Sequence, residues 1–469
     1  MKRFVFLSTL LFSCFVAFSQ AGPRTVCQYG FTFEISTQNN WGYLKPVVLS
    51  VTPNSSADAA GIHIDDIIET IDEKPTAGEN IGTILAWLQN SDSKIRLTVS
   101  NLRASLQNRT IEKNCRLSNS ISEKELASVY SFYSLESVQT HAFACPFKTT
   151  VNPQSKLIQY KSFGFAAPDP NNPVLDKAIN AVIRNSLEQK GLKYTDRNPD
   201  LIVRTHYSLL ANPNFQNSPR ADKIPVVYRY NVKTKSMEKL PIYYNPLIHT
   251  NLAKFFLKLG IRLVDNKNSM VWECEANELL QSGYSLDKYA EFHVPLMFMQ
   301  YPYPKSKESA QFFYGRTKYN YTGIHYNINN LKEIAEVDPL SPAAKAGIQA
   351  GDIVENINGI KFNNNVKSAD SKYKQFVYKT LSFRDPSTQF TNADGFTRCM
   401  YWDKMKYSLI YDEFKKPEYS TTFSYLFYFA TYINLPGTNI VIFNVKQGKQ
   451  KEEIKIKPVI VSEEIFENR

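Results

Sequence analysis

Several things are scarce or missing in this sequence of 469 residues, and each absence narrows its chemistry. There are six cysteines, none spaced C-x-x-C, which sets aside zinc and thioredoxin-like sites. The six histidines (63, 141, 206, 249, 293 and 325) are dispersed and no H-E-x-x-H occurs, so a zincin is excluded. No G-x-S-G or D-[ST]-G is found; the nearest approach, Gln281-Ser282-Gly283-Tyr284, lacks the flanking glycine. A glycine-rich phosphate loop is also missing. Beyond the N-terminus no apolar run approaches the ~20 residues of a membrane helix. Charge of one sign never gathers: the formal charge is +11, yet lysines and acids alternate as in Lys449-Gln450-Lys451-Glu452-Glu453, which speaks against a nucleic-acid face. No catalytic constellation, metal site or cofactor is expected.

What is present begins at the N-terminus. Met1-Lys2-Arg3 precedes an apolar stretch from Phe4 to Phe18, and a cut near Gln20-Ala21 would follow, so residues 1–20 read as a secretory signal peptide. Leu11-Phe12-Ser13-Cys14 loosely resembles a lipoprotein cleavage box, leaving soluble export and lipid anchoring as alternatives. Either way the expected location is the periplasm or cell envelope of a bacterium. Cys14 would leave with the signal, and Cys27, Cys115, Cys145, Cys274 and Cys399 remain. The length allows about three domains. Aromatics at 13% with few glycines indicate a well-ordered chain.

One pattern occurs twice. Residues 51–72 read VTPNSSADAAGIHIDDIIETID and residues 337–358 read VDPLSPAAKAGIQAGDIVENIN, sharing V-x-P-x-S-x-A-x-x-A-G-I and then D-I. The separation is far longer than a solenoid period, so this is one small domain in two copies. Ser341 can cap a short helix with Pro342 in its first turn and Gly347 at its exit. Asn358-Gly359 is a hairpin signal, with Asp72-Glu73 in its place in the first copy. Upstream, Tyr29-Gly30-Phe31-Thr32-Phe33 and Thr322-Gly323-Ile324-His325-Tyr326 each lead through a glycine into an alternating strand.

These features together resemble the PDZ family, in which an x-Φ-G-Φ loop binds a partner's terminal carboxylate and the next strand accepts its backbone as an extra strand. The physics suits the resemblance: glycine lets successive amides converge on an anion, and a free strand edge pairs with an extended peptide. The resemblance implies a groove helix at Glu79–Asn90, where Ile81 and Leu85 would face the peptide while Ile84 and Leu88 continue the stripe. In the second copy the helix is expected at Thr422–Asn434. A Tyr-, Phe- and Lys-rich insertion at about 363–420, which the family does not require, would cover that groove. The fold also brings the strand after Cys27 beside that of Cys115, which implies a disulfide.

Between the copies, Ser122 and Glu125 form a capping box that opens a helix, so 119–144 reads as a helical connector. From 145 to 305 the order F-x-F, K-G-L-x-Y, N-P-D-L-I-V, G-I-R-L-V-D and a helix ending in Y-P resembles a domain of unknown function (4136) common in bacterial envelope lipoproteins. That family has no established activity. The expected fold class is α+β multidomain: PDZ-like partly open β-barrels at 24–118 and 315–462 around a central antiparallel α+β domain. The expected function is an exported, non-enzymatic adaptor that holds C-terminal tails or exposed strands of envelope proteins, with avidity from two grooves. The alternatives are a cryptic envelope hydrolase using the modules for substrate capture, and modules that merely pack on the middle domain.

Overall fold

The computed structural model describes residues 25–130, 138–216, 227–240, 242–243, 253–280, 285–362, 366–388, 400–419, 421–426 and 440–469. The expected signal peptide, Cys399 and the helix expected beyond Leu426 lie outside them.

The first module runs β1 (Thr25–Gln28), β2 (Phe31–Ile35), β3 (Pro46–Val51), α1 (Ser56–Ala59), β4 (Ile67–Ile71), β5 (Lys74–Pro75), α2 (Ile81–Asn90), β6 (Lys94–Ser100), β7 (Gln107–Glu112) and β8 (Asn114–Leu117). Its sheet is ordered β2-β3-β4-β6-β7, with β5 beside β4, while β1 pairs antiparallel with β8. Alternation in β6 buries Ile95, Leu97 and Val99 on Ile84 and Leu88 of α2. Ser55 caps α1, accepting from the Asp58 amide, and Asn80 caps α2 through the Thr83 amide. Asp72 and Glu73 both take positive φ (46° and 68°), so they close the β4–β5 hairpin without the glycine used at Asn358-Gly359.

The segment expected to be a helical connector has more strand than that. β9 (Ser120–Ser122) precedes α3 (Glu123–Tyr130), and β10 (Val138–Cys145) follows. The capping box does form: the Ser122 amide donates to Glu125 Oε2 at 2.9 Å and the Glu125 amide to Ser122 Oγ at 3.2 Å.

The central domain comprises β11 (Phe147–Val151), β12 (Ser162–Phe165), α4 (Pro173–Lys190), β13 (Lys193–Tyr194), β14 (Leu201–Ala211), β15 (Val227–Asn231), β16 (Ser236–Leu240), β17 (Ile242–Tyr243), β18 (Phe255–Asp265), β19 (Met270–Leu280) and α5 (Leu286–Met297). Its sheet, β11-β19-β18-β14-β12-β13 with β17 beside β19, is mixed rather than antiparallel. β12 pairs parallel with both β13 and β14, because α4 carries the chain back across the sheet before β13. Leu157–Gln159 form a 3-10 turn just before β12. Ile179, Ile183 and Leu187 of α4 share one core with Phe163, Trp272 and Tyr289.

The second module contains β20 (Ala310–Tyr321), β21 (Ile324–Asn327), β22 (Asn330–Val337), α6 (Pro342–Lys345), β23 (Ile353–Ile357), β24 (Ile360–Lys361), α7 (Val366–Lys379), α8 (Tyr407–Phe414), β25 (Val441–Gln447), β26 (Gln450–Ile456) and β27 (Val459–Asn468). Its sheet order is β26-β25-β23-β22-β21-β9, with β24 beside β23. Two strands close the chain: β26 stays in this sheet, and β27 joins β20 and β10 in a separate one. The chain is thus a mixed α+β multidomain protein rich in antiparallel sheet.

Candidate functional site

The two glycine loops are built alike. Gly30 and Gly323 have φ of +83° and +91°, and a Cβ on either would collide with Ser55 or Ser341, the caps of α1 and α6. Their carbonyls accept from the Thr52 and Asp338 amides, each at 2.8 Å. Close approach to a serine cap and the left-handed φ both require glycine here.

They differ in what they hold. In the second module the Thr322 and Gly323 amides donate to Glu123 Oε2 at 2.6 and 3.0 Å, while Thr322 Oγ1 and Tyr425 Oη donate to Oε1 at 2.5 and 2.6 Å. Glu123 is 2% exposed. Burial raises its pKa above the usual carboxylate value, and the hydrogen bonds from Thr322, Tyr425 and Gly323 only partly offset this. Beside it β9 pairs antiparallel with β21, Ser122 against His325, Ile121 against Tyr326 and Ser120 against Asn327. The strand runs toward the loop and delivers a carboxylate to it. Thr322, Gly323, Ile324, His325 and Tyr326, expected to form an open groove, are therefore filled by the chain's own strand, with a side-chain carboxylate where a terminal one would sit. The described part of the insertion does not take the groove: α7 packs on α3, and Phe376 shares a core with Leu126 and Ala127. Thr422–Leu426, at the start of the expected second groove helix, is a 3-10 turn that supplies Tyr425.

In the first module β2 ends the sheet, and its outer rim meets no described strand. The Gly30 amide, matching Gly323, has no acceptor among the described residues, and neither has the Tyr29 amide, matching Thr322. Phe31 is buried, Phe33 half-buried, and Thr32 is exposed with Oγ1 2.6 Å from Ser50 Oγ. Of the α2 stripe, Ile84 and Leu88 are fully buried, whereas Ile81 and Leu85 are 50% and 40% exposed. Tyr43 and Leu44 are exposed as well, and the Leu44 carbonyl accepts from Gly78 just before α2. Cys27 and Cys115 pair across β1 and β8 and are joined by a disulfide that closes an 88-residue separation.

Both loops border one cleft of about 1130 Å³ between the modules, lined by Tyr29, Gly30 and Ser55 on one side and Glu123, Ile324 and His325 on the other. His325 Nε2 lies 2.8 Å from Asp338 Oδ1. Burial opposes its charge, but Asp338 outweighs burial and raises the imidazole pKa. Arg116 grips Glu125 at 2.8 and 2.6 Å, fixing the cap of α3 to β8.

Other reactive groups are accounted for by packing. The thiols of Cys145 and Cys274 are buried and pushed up to about 12 by desolvation. His206, Glu273 and Glu275 come within metal-ligating distance of one another, but Lys258 and Arg262 already pair with the two glutamates at 3.4 and 2.7 Å. A buried network unseen in the sequence joins Arg229 to Glu278 (2.5 Å) and His293 (2.7 Å), with Tyr289 Oη 3.2 Å from Glu278. No described helix is long and apolar enough to cross a membrane.

Family models agree with this layout. The PDZ domain model matches residues 47–101 and 333–371, and the domain of unknown function (DUF4136) matches 147–303. The crystal structure of a PDZ domain protein from Parabacteroides distasonis ATCC 8503 is 42% identical, covers 95% of this chain and 100% of its own, and superimposes with a TM-score of 0.83. The HtrA3 PDZ domain bound to a phage-derived ligand (FGRWV) is 18% identical over 20% of this chain and 93% of its own, with a TM-score of 0.18. PelC from Paraburkholderia phytofirmans is 9% identical over 34% and 94%, with a TM-score of 0.16. No curated protein matches. With two glycine loops of one geometry flanking a DUF4136 domain, and a 42% identical relative along nearly its whole length, the chain belongs to this family of PDZ domain proteins, whose modules suggest protein–protein interaction through bound peptides.

Proposed function

We propose that the protein is an exported, non-enzymatic adaptor that holds an extended peptide of an envelope protein in the groove of its first module. One observation carries this reading. The loop whose counterpart binds a carboxylate through two amides has amides without acceptors among the described residues, next to an unpaired strand rim and the exposed Ile81 and Leu85. A backbone rim supplies affinity by strand addition, and the apolar helix face selects side chains. The preferred tail ends in an apolar residue.

Export is supported by the Cys27–Cys115 disulfide, since such bonds persist in oxidising compartments. The non-enzymatic reading is supported by thiols held protonated at neutral pH, which are poor nucleophiles. Calorimetric titration of the intact, oxidised chain with an apolar-ended peptide, as free acid and as amide, tests the proposal. The acid is expected to bind about tenfold or more tightly, the loss of a charge-assisted hydrogen bond. Equal binding of both forms, or none, would remove carboxylate capture.

A further inference from the structure

The filled groove of the second module is a template for that of the first, whose rim meets no described strand. Its ligand is not a chain end: the chain passes through Glu123 and continues as α3. Two features make it fit. The backbone of Ser120–Ser122 completes the sheet, and the carboxylate of Glu123 reaches the loop amides while Ile121, two positions earlier on the same face, is buried in the module core. The loop therefore recognises a carboxylate delivered at the end of a strand and does not need a terminus.

The first loop has the same glycine φ, the same serine cap beneath it and the same amide on its carbonyl. It opens on the inter-module cleft of about 1130 Å³, which offers a continuing chain somewhere to go. From this intramolecular precedent we infer that the first groove accepts an internal partner segment of the pattern apolar-x-Glu (or Asp), the acidic side chain seated on the Tyr29 and Gly30 amides and the apolar residue on Ile81 and Leu85. The inference rests on the peptide-binding reading above and names its ligand class.

The test uses the full oxidised chain and blocked peptides that continue past the acid. The probe is acetyl-Gly-Ser-Ile-Ser-Glu-Lys-Ala-amide, set against its Glu-to-Gln analogue and a free-acid peptide of equal length with an apolar end. The internal-Glu peptide is expected to bind within about tenfold of the free acid, and the Gln analogue about tenfold or more weakly. Leu85→Asp, at an exposed position, should abolish binding with an unchanged melting temperature. If the free acid binds and the internal-Glu peptide does not, the inference falls while tail capture stands. If neither binds, both fall. Internal-Glu binding that survives Leu85→Asp would place the peptide elsewhere and overturn the assignment.

Discussion

At the residue scale, Glu123 matters most, and it was the hardest to see. The sequence displays the Ser122–Glu125 box, a local signal within one helical turn, but the partners of Glu123 lie about two hundred and three hundred positions away at Thr322 and Tyr425. No spacing rule reaches so far. Replacing it leaves two amides and two hydroxyls without this buried acceptor, so Glu123→Ala should cost about 2–4 kcal/mol in denaturant unfolding, read from the second module. Asp66 offers a pH handle. Desolvation raises its pKa to about 6 despite hydrogen bonds from the His63 amide and Asn101. A carboxyl that binds its proton more tightly when folded contributes stability that is complete below about 4 and lost as pH rises through about 6. Asp66→Asn should therefore flatten the pH dependence of the melting temperature between those limits, and an unchanged slope would contradict the assignment. The neighbouring Asp65 sits in the left-handed region at φ 72°, where the other copy has Gly351, and pairs with Lys190 of the central domain at 2.9 Å. That explains why a residue disfavoured in the turn stands there: it docks the module.

At the element scale, much of the architecture is legible because its signals are local. The serine caps, the glycine exits and the four-residue stripe of α2 are all written within a few positions of where they act. The stripe could not say which members turn outward; packing on the sheet buries Ile84 and Leu88 and leaves Ile81 and Leu85. Parallel pairing of β12 and the strand character of β9 and β10 escaped, because edge pairing depends on distant partners. The loop glycines admit a sharp test. Gly30→Ala places a Cβ only 2.4 Å from Ser55 Oγ, in a conformation that alanine resists. It should lower stability by about 1–3 kcal/mol and abolish peptide binding, whereas Gly78→Ala, with open space around it despite φ 82°, should cost less.

At the scale of the whole molecule, the repeat suggests two hands, and the structure gives the second one a permanent occupant. A tethered strand competes at an effective concentration in the mM range, so an added peptide of ordinary affinity cannot displace it. Titrations should saturate near one peptide per chain, and a second equivalent site would refute the plugged groove. Avidity from two tails is lost with it. The modules are also braced on the middle domain: Lys305 pairs with Glu34 of β2 at 2.7 Å, Arg103 donates to the Gln189 carbonyl at 2.5 Å, and Phe466 of β27 stacks on Tyr230 at 4.1 Å. One covalent link ties these together. Cys27 lies three positions before Gly30, and Cys115 lies eight before Glu123. A single sulfur–sulfur bond thus tethers the approach to the first loop and the approach to the strand that fills the second. A thiol reductant should register on both sides of the shared cleft, loosening the grip on a visitor and the anchorage of the resident strand in one stroke.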